Sequence, residues 1–272
     1  MKNLITGVFT LWAMGFSFAQ ANMDMSTQNG NLNVATVDQT GLLNVNQLNQ
    51  NGNRNTADID QVGILNSSEV QSIGNRNSVD VQQSGIGNGN VTSQTGNQNM
   101  ADTWQVGMLN STEQTQLGNR NEVSSTQWGS MNTALQYQDG VRNQATSFQW
   151  GDGNQAMQVQ LGRRNEASSI QAGDNNLVGQ YQQGNDNSAA NLQSGDNNIA
   201  AAYQIGNDNM AMGTQTGDGN LLVQLQSGNG NIALDIQTGD GNMASVNQSG
   251  DNHIHVGSQI GNNNSLMVNQ SN

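Results

Sequence analysis

Polar and small apolar residues alternate along this chain in a short, strict pattern. From Asn55 to Gln61, for example, Asn55, Ala57 and Gln61 fall on even steps, while Asp58 and Asp60 fall on odd ones. Successive side chains of an extended strand point to opposite faces, so an Asn and a Gln six apart share one face with the second and fourth residues after the Asn. Small and aliphatic residues dominate the second position in alternate segments, as at Ala35, Ala57, Val79, Ala101, Val123 and Ala145. Charges such as Asp80, Asp102, Glu113, Glu122 and Glu166 take the other face, and Asp235 is the exception that falls on the inner one.

The pattern repeats every eleven residues. Glycine stands at 30, 41, 52 and onward to 261 without a miss, which places 22 of the 33 glycines in one phase. Gln stands two residues before each of these glycines, interrupted only by Ser72, and Asn three residues after each, interrupted only by His253. The unit Asn-x5-Gln-x-Gly-x-x predicts a strand of seven from Asn to Gln, followed by a turn of x-Gly-x-x. The turn glycines, among them Gly30, Gly41, Gly52, Gly63, Gly151, Gly217, Gly239 and Gly261, are expected where φ is positive.

The small-residue column steps by 22, and the intervening strands carry Gln114, Gln136, Gln158, Gln180 and Gln224 at the next inward position. One rung is therefore two unlike strands and two turns, which predicts an all-β fold: a two-sheet β-solenoid of stacked strand-turn-strand rungs. Stacking places like residues above one another at about 4.7 to 4.8 Å. Asn and Gln suit such columns because each amide both donates and accepts a hydrogen bond. The expected ladder runs through Gln28, Asn33, Gln39, Asn44, Gln50, Asn55, Gln61, Asn66, Asn77 and Gln83. It continues through Asn154, Gln160, Asn220, Gln226, Asn231, Gln237, Asn242, Gln248, Asn264 and Gln270.

Composition agrees with a repeat architecture rather than an ordinary apolar core: 272 residues hold 4% aromatic residues, no Pro and no Cys. The absence of Cys removes disulfides and thiol chemistry. A net charge of -13 offers no basic footprint for nucleic acid. Residues 1–21 read as a secretory signal peptide: Lys2 precedes an apolar run from Leu4 to Phe18, and Ala19-Gln20-Ala21 forms the cleavage site. The run is too short to span a bilayer, and cleavage after Ala21 leaves a mature repeat region of 22–272 with no membrane span.

The stretch Gln149, Gly151, Gly153, Asn154, Ala156, Gln160 resembles the curlin repeat of bacterial curli fibre subunits, and so does Gln237, Gly239, Gly241, Asn242, Ala244, Gln248. The resemblance covers the whole predicted mature chain, as a long variant of about eleven repeats with Asn where curlins often have Ser. It implies a secreted subunit that polymerises end to end into extracellular amyloid fibres for biofilm matrix and adhesion, on the surface of a Gram-negative bacterium. It also implies as partners the subunit itself, a nucleator subunit, an outer-membrane export pore and periplasmic chaperones. A minor, nucleating role in the same fibre is an alternative. So is a calcium-binding, ice-binding or adhesive solenoid that does not polymerise.

The residues point the same way without the resemblance. No capping helix, Pro or Lys guards the first or last unit, and unguarded strand edges are templates for further strands. No catalytic constellation stands out, and no cofactor is expected; His253 and His255 read as substitutions in the ladder rather than as bases or ligands. Arg54, Arg76, Arg120, Arg142 and Arg164 are expected along one turn edge, and Leu42, Leu43, Ile64, Leu65, Met108 and Leu109 along the other. Asp152, Asp174, Asp196, Asp218 and Asp240 are expected to replace both in later turns. Outward apolar residues near the C-terminus, Leu221, Val223, Leu225, Ile232, Leu234 and Ile236, suggest a surface for lateral bundling. Trp128 with Trp150, and Tyr181 with Tyr203, form aromatic pairs 22 apart.

Overall fold

A computed structural model describes residues 21–272; the predicted signal peptide, up to residue 20, lies outside the described residues. The chain is an all-β solenoid of 23 strands, β1 (Met23–Asn31) to β23 (Ser265–Ser271), with no helix among the described residues. Odd-numbered strands form a 12-stranded parallel sheet and even-numbered strands an 11-stranded one. Each strand pairs with the strand two ahead in a register of 22 residues, so Gln28 faces Gln50 and Gly30 faces Gly52. The two inner faces meet in a thin core with a column of small residues, including Ala57, Ala101, Ala145, Ala167, Ala211 and Ala233. Larger aliphatic residues, Leu48, Ile59, Val70 and Val81, fill it near the N-terminal end.

The turn differs from the seven-residue strand and four-residue turn that the sequence predicts. Many strands run nine residues, starting after the ladder Asn and continuing through the glycine, as β2 does over Val34–Leu42. Strands such as β14 (Glu166–Ala172) and β20 (Ile232–Thr238), each followed by a Gly-Asp pair, stop at seven. The ladder glycine is needed for space as well as for its positive φ. A Cβ built on Gly30 would sit 1.8 Å from the carbonyl oxygen of Gly52 in the next rung, and one on Gly217 would sit 2.3 Å from that of Gly239.

The chain reverses at a second positive-φ position, two residues beyond the ladder glycine. Leu43 adopts φ 58°, Arg54 58° and Leu65 59°, whereas Gly153, Gly219 and Gly241 take the same place in the Gly-Asp-Gly-Asn turns at 70°, 65° and 65°. The left-handed conformation costs a non-glycine residue roughly 1–2 kcal/mol, least for Asn and Asp. From Gly153 onward every such position but Arg164 holds Gly, Asn or Asp. The second glycine of the Gly-x-Gly-Asn turns thus removes a local strain that the early turns carry.

Candidate functional site

The amides of the repeat do more than stack on their own kind. Gln39 Nε2 donates to Gln61 Oε1 at 2.7 Å, Gln61 to Gln83 at 2.8 Å and Gln83 to Gln105 at 2.8 Å. The same Nε2 groups also reach across to the facing sheet: Gln61 donates to Val45 O at 3.1 Å and Gln83 to Ser67 O at 3.0 Å. Each ladder Gln therefore holds two rungs and two sheets together at once. The bonds recur from Gln28 to Gln50 and from Gln160 to Gln182, both at 2.8 Å. They recur again from Gln226 to Gln248, from Gln237 to Gln259 and from Gln248 to Gln270, at 2.8–2.9 Å. Ser72 interrupts the column: its Oγ donates to Gln94 Oε1 at 3.2 Å, while Gln50 Nε2 keeps only its bond to Val34 O at 3.2 Å.

Ladder asparagines pin the turns. The backbone N–H of Asn55 donates to Asn33 Oδ1 at 2.9 Å, and its side-chain Nδ2 donates to Gly74 O at 3.0 Å. Asn33, Asn44, Asn66 and Asn77 make the same Nδ2 bond to the glycine carbonyl 19 residues ahead, as do Asn154 and Asn231. Asn242 Nδ2 donates to Asn220 Oδ1 at 3.1 Å, and Asn264 Nδ2 to Asn242 Oδ1 at 2.9 Å. Because the carbonyl of Gly74 or Gly63 can be reached only from the turn beside it, the Asn column fixes the turn conformation. A shorter second column runs through Gln114, Gln136, Gln158 and Gln180. It stops at Ala202, and Gln224 donates instead to Asp235 Oδ2 at 2.8 Å.

Among the described residues, Asp235 is the one buried carboxylate of the inner faces. His255 Nε2 lies 2.9 Å from its Oδ1, and the side chains are 10% and 2% exposed. Room for the pair comes from Gly257, where an added Cβ would sit 2.3 Å from Asp235 Oδ1. His253 occupies the Asn column, its backbone N–H donating to Asn231 Oδ1 at 3.0 Å. Among the described residues no three His, Cys, Asp or Glu side chains are grouped so as to hold a metal ion, and no helix is long and apolar enough to cross a membrane.

The surface corrects two expectations. Asp152, Asp174, Asp196, Asp218 and Asp240 follow the even-numbered strands, so they continue the edge of Leu42, Ile64 and Met108 and do not replace the arginines. The acids that succeed the arginines on their own edge are Asp186, Asp208 and Asp251. The apolar C-terminal residues likewise do not form one patch. Leu221, Val223 and Leu225 belong to β19 (Leu221–Asn229) and Ile232, Leu234 and Ile236 to β20, on the outer faces of opposite sheets. Trp128 packs edge-on against Trp104 at 5.5 Å and Trp150 at 6.4 Å, and Tyr181 stacks on Tyr203 at 4.7 Å.

The ends present the same groups without neighbours. Among the described residues, β1 and β2 at one end and β22 (Ile254–Ile260) and β23 at the other each have a strand on one side only. Gln28 is exposed, whereas Gln50 and Gln61 in the rungs above it are fully buried. No family model matches the sequence, and no characterised protein matches it in a sequence search.

Proposed function

We propose that the chain is a structural subunit that polymerises end to end into an extracellular amyloid fibre, as the curlin resemblance implies. One observation carries this reading: among the described residues, the terminal rungs have a strand on one side only and carry the same Gln and Asn columns that hold the internal rungs. Such edges are templates for strand addition. A second copy would continue both columns without new chemistry, giving the side-chain oxygens of Gln28 and Gln39, which accept no bond from another rung, the donors that internal rungs have. The resemblance adds export through an outer-membrane pore, periplasmic chaperones, a nucleator subunit and a biofilm setting on a Gram-negative cell. The chain acts here as a material and not as an enzyme.

The test is to incubate the purified repeat region, residues 22–272, without calcium and follow its state by light scattering and fibre diffraction. Seedable fibres with a meridional spacing of about 4.7–4.8 Å are the expected result. A persistent monomer, or folding that requires Ca²⁺, would overturn the proposal.

A further inference from the structure

The arginines and the edge aspartates lie on opposite rims of the solenoid and repeat with one period. Every Arg among the described residues, Arg54, Arg76, Arg120, Arg142, Arg163 and Arg164, is exposed at a turn that follows an odd-numbered strand. Five acids at a constant interval, Asp152 to Asp240, occupy turns that follow even-numbered strands. Both columns are set by the same in-register pairing, so their axial spacing is the strand spacing in each.

We infer that these rims are the two halves of a lateral contact between copies of this chain, the Arg rim of one solenoid against the Asp rim of a neighbour lying alongside it. Shifting a parallel neighbour by four rungs, about 19 Å at the usual strand spacing, sets Arg54 opposite Asp152 and Arg76 opposite Asp174. The same shift sets Arg120 opposite Asp218 and Arg142 opposite Asp240. Gln98, the one neutral member of the column, then meets Asp196 and offers it an amide donor. A constant sequence difference of 98 relates all five pairs, so no residue needs to move along the axis to make them. An antiparallel neighbour makes five pairs as well, Arg54 opposite Asp240 through Arg142 opposite Asp152, so the contact is defined by the two rims and not by the direction of the axis.

The contact is heterologous: each copy keeps a free Arg rim and a free Asp rim, and lateral growth gives an open ribbon instead of a closed pair. Isolated surface ion pairs contribute little. Here their number grows with length, because one rigid body presents all of them together. Being exposed, they are screened by salt. The inference does not require the solenoids to polymerise, since the rims exist on one chain.

Two variants test it. In the first, Arg54, Arg76, Arg120 and Arg142 are each changed to Gln, which the same turn position already accepts at Gln98. In the second, Asp152, Asp174, Asp196, Asp218 and Asp240 are each changed to Asn. That residue keeps the side-chain oxygen that accepts a backbone N–H from the rung before, as Asn262 does from Asp240 N at 2.9 Å. Lateral association is read as fibre width by electron microscopy, or as sedimentation of the chain if it stays unpolymerised, in low and in 0.5 M salt (about a 4 Å screening length). We expect wild-type association to fall at least tenfold in high salt, each variant alone to stay single at low salt, and a one-to-one mixture to pair through the intact rims. Association that ignores salt, or that survives in either variant alone, overturns the inference. So does an Arg rim that captures heparin or single-stranded DNA while copies of the chain ignore one another.

Discussion

Replacing Gln149 by Ala removes one member of the Gln column near the middle of the solenoid. Gln127 Nε2 loses its acceptor Gln149 Oε1 at 2.8 Å, and Gln149 Nε2 no longer reaches Gln171 Oε1 at 2.9 Å or Thr133 O at 3.0 Å. Gln127 keeps a second partner in Ser111 O. Gln171 Oε1 keeps none, in a side chain that is fully buried. An orphaned buried acceptor costs about 1–3 kcal/mol and each of the other two bonds contributes about 1, so the expected loss is about 3–5 kcal/mol. Exposed Gln144 on the outer face, five residues away, should change stability by less than about 0.5 kcal/mol when truncated. Urea unfolding followed through the fluorescence of Trp128 and Trp150 reports on the rungs concerned. The converse change, Ser72→Gln, gives Gln50 Nε2 an acceptor and adds a reach to the facing sheet, while an amide replaces the bond that Ser72 Oγ makes to Gln94 Oε1. It should raise stability by about 1 kcal/mol, the gain of two bonds less the entropy of one long side chain. If Gln149→Ala costs under 1 kcal/mol, or no more than Gln144→Ala, the cross-sheet role of the column is wrong.

His255→Ala leaves the buried Asp235 carboxylate with Gln224 as its only side-chain partner. It should cost about 3 kcal/mol, while the double change Asp235→Ala with His255→Ala should cost clearly less; strictly additive losses in a double-mutant cycle would contradict the pairing. On the outer face of the even sheet, Asp58, Asp80 and Asp102 stack in register. Partial burial first, and then the neighbouring carboxylates, hold Asp80 and Asp102 above the usual aspartate value of 3.8. A carboxyl whose folded value is raised favours the fold when protonated, so this contribution is full on the acid side and is lost as pH rises from about 3.8 through the folded value. Asp80→Asn with Asp102→Asn should therefore raise the urea midpoint at pH 7 and flatten its decline from pH 4 upward; an unchanged profile would contradict the stacking. Asp186 acts in the opposite sense. The hydrogen bond from Arg164 holds its carboxyl below the usual value, so its small, exposed contribution fades as pH falls through the folded value.

The strain pattern along the chain bears on where folding starts. Most early turns hold Leu or Arg in the left-handed region, with Gly87, Gln98 and Met131 among them, and later ones other than Arg164 hold Gly, Asn or Asp. The later rungs thus form at a lower local cost, which suits a nucleus in the C-terminal half, where rungs can then add toward Leu43 and Arg54.

The repeat, the inward face and the identity of the laddered amides were legible in the sequence, because a strand alternates with a period of two and a solenoid demands the same residue at every return. His255 and Asp235 could each be placed on the inner face in the same way. Their contact could not, since it depends on how one rung sits over the next at a separation of 20 residues. The reach of each Gln to the opposite sheet, the glycine that lies inside the strand, and the left-handed residue two positions beyond it also came only from the tertiary structure. Local pattern determines which face a side chain takes. The offset between rungs decides what it meets there, and strand parity decides which rim a turn occupies, so the arginines and aspartates separate to opposite sides even though both stand within two residues of a repeat glycine.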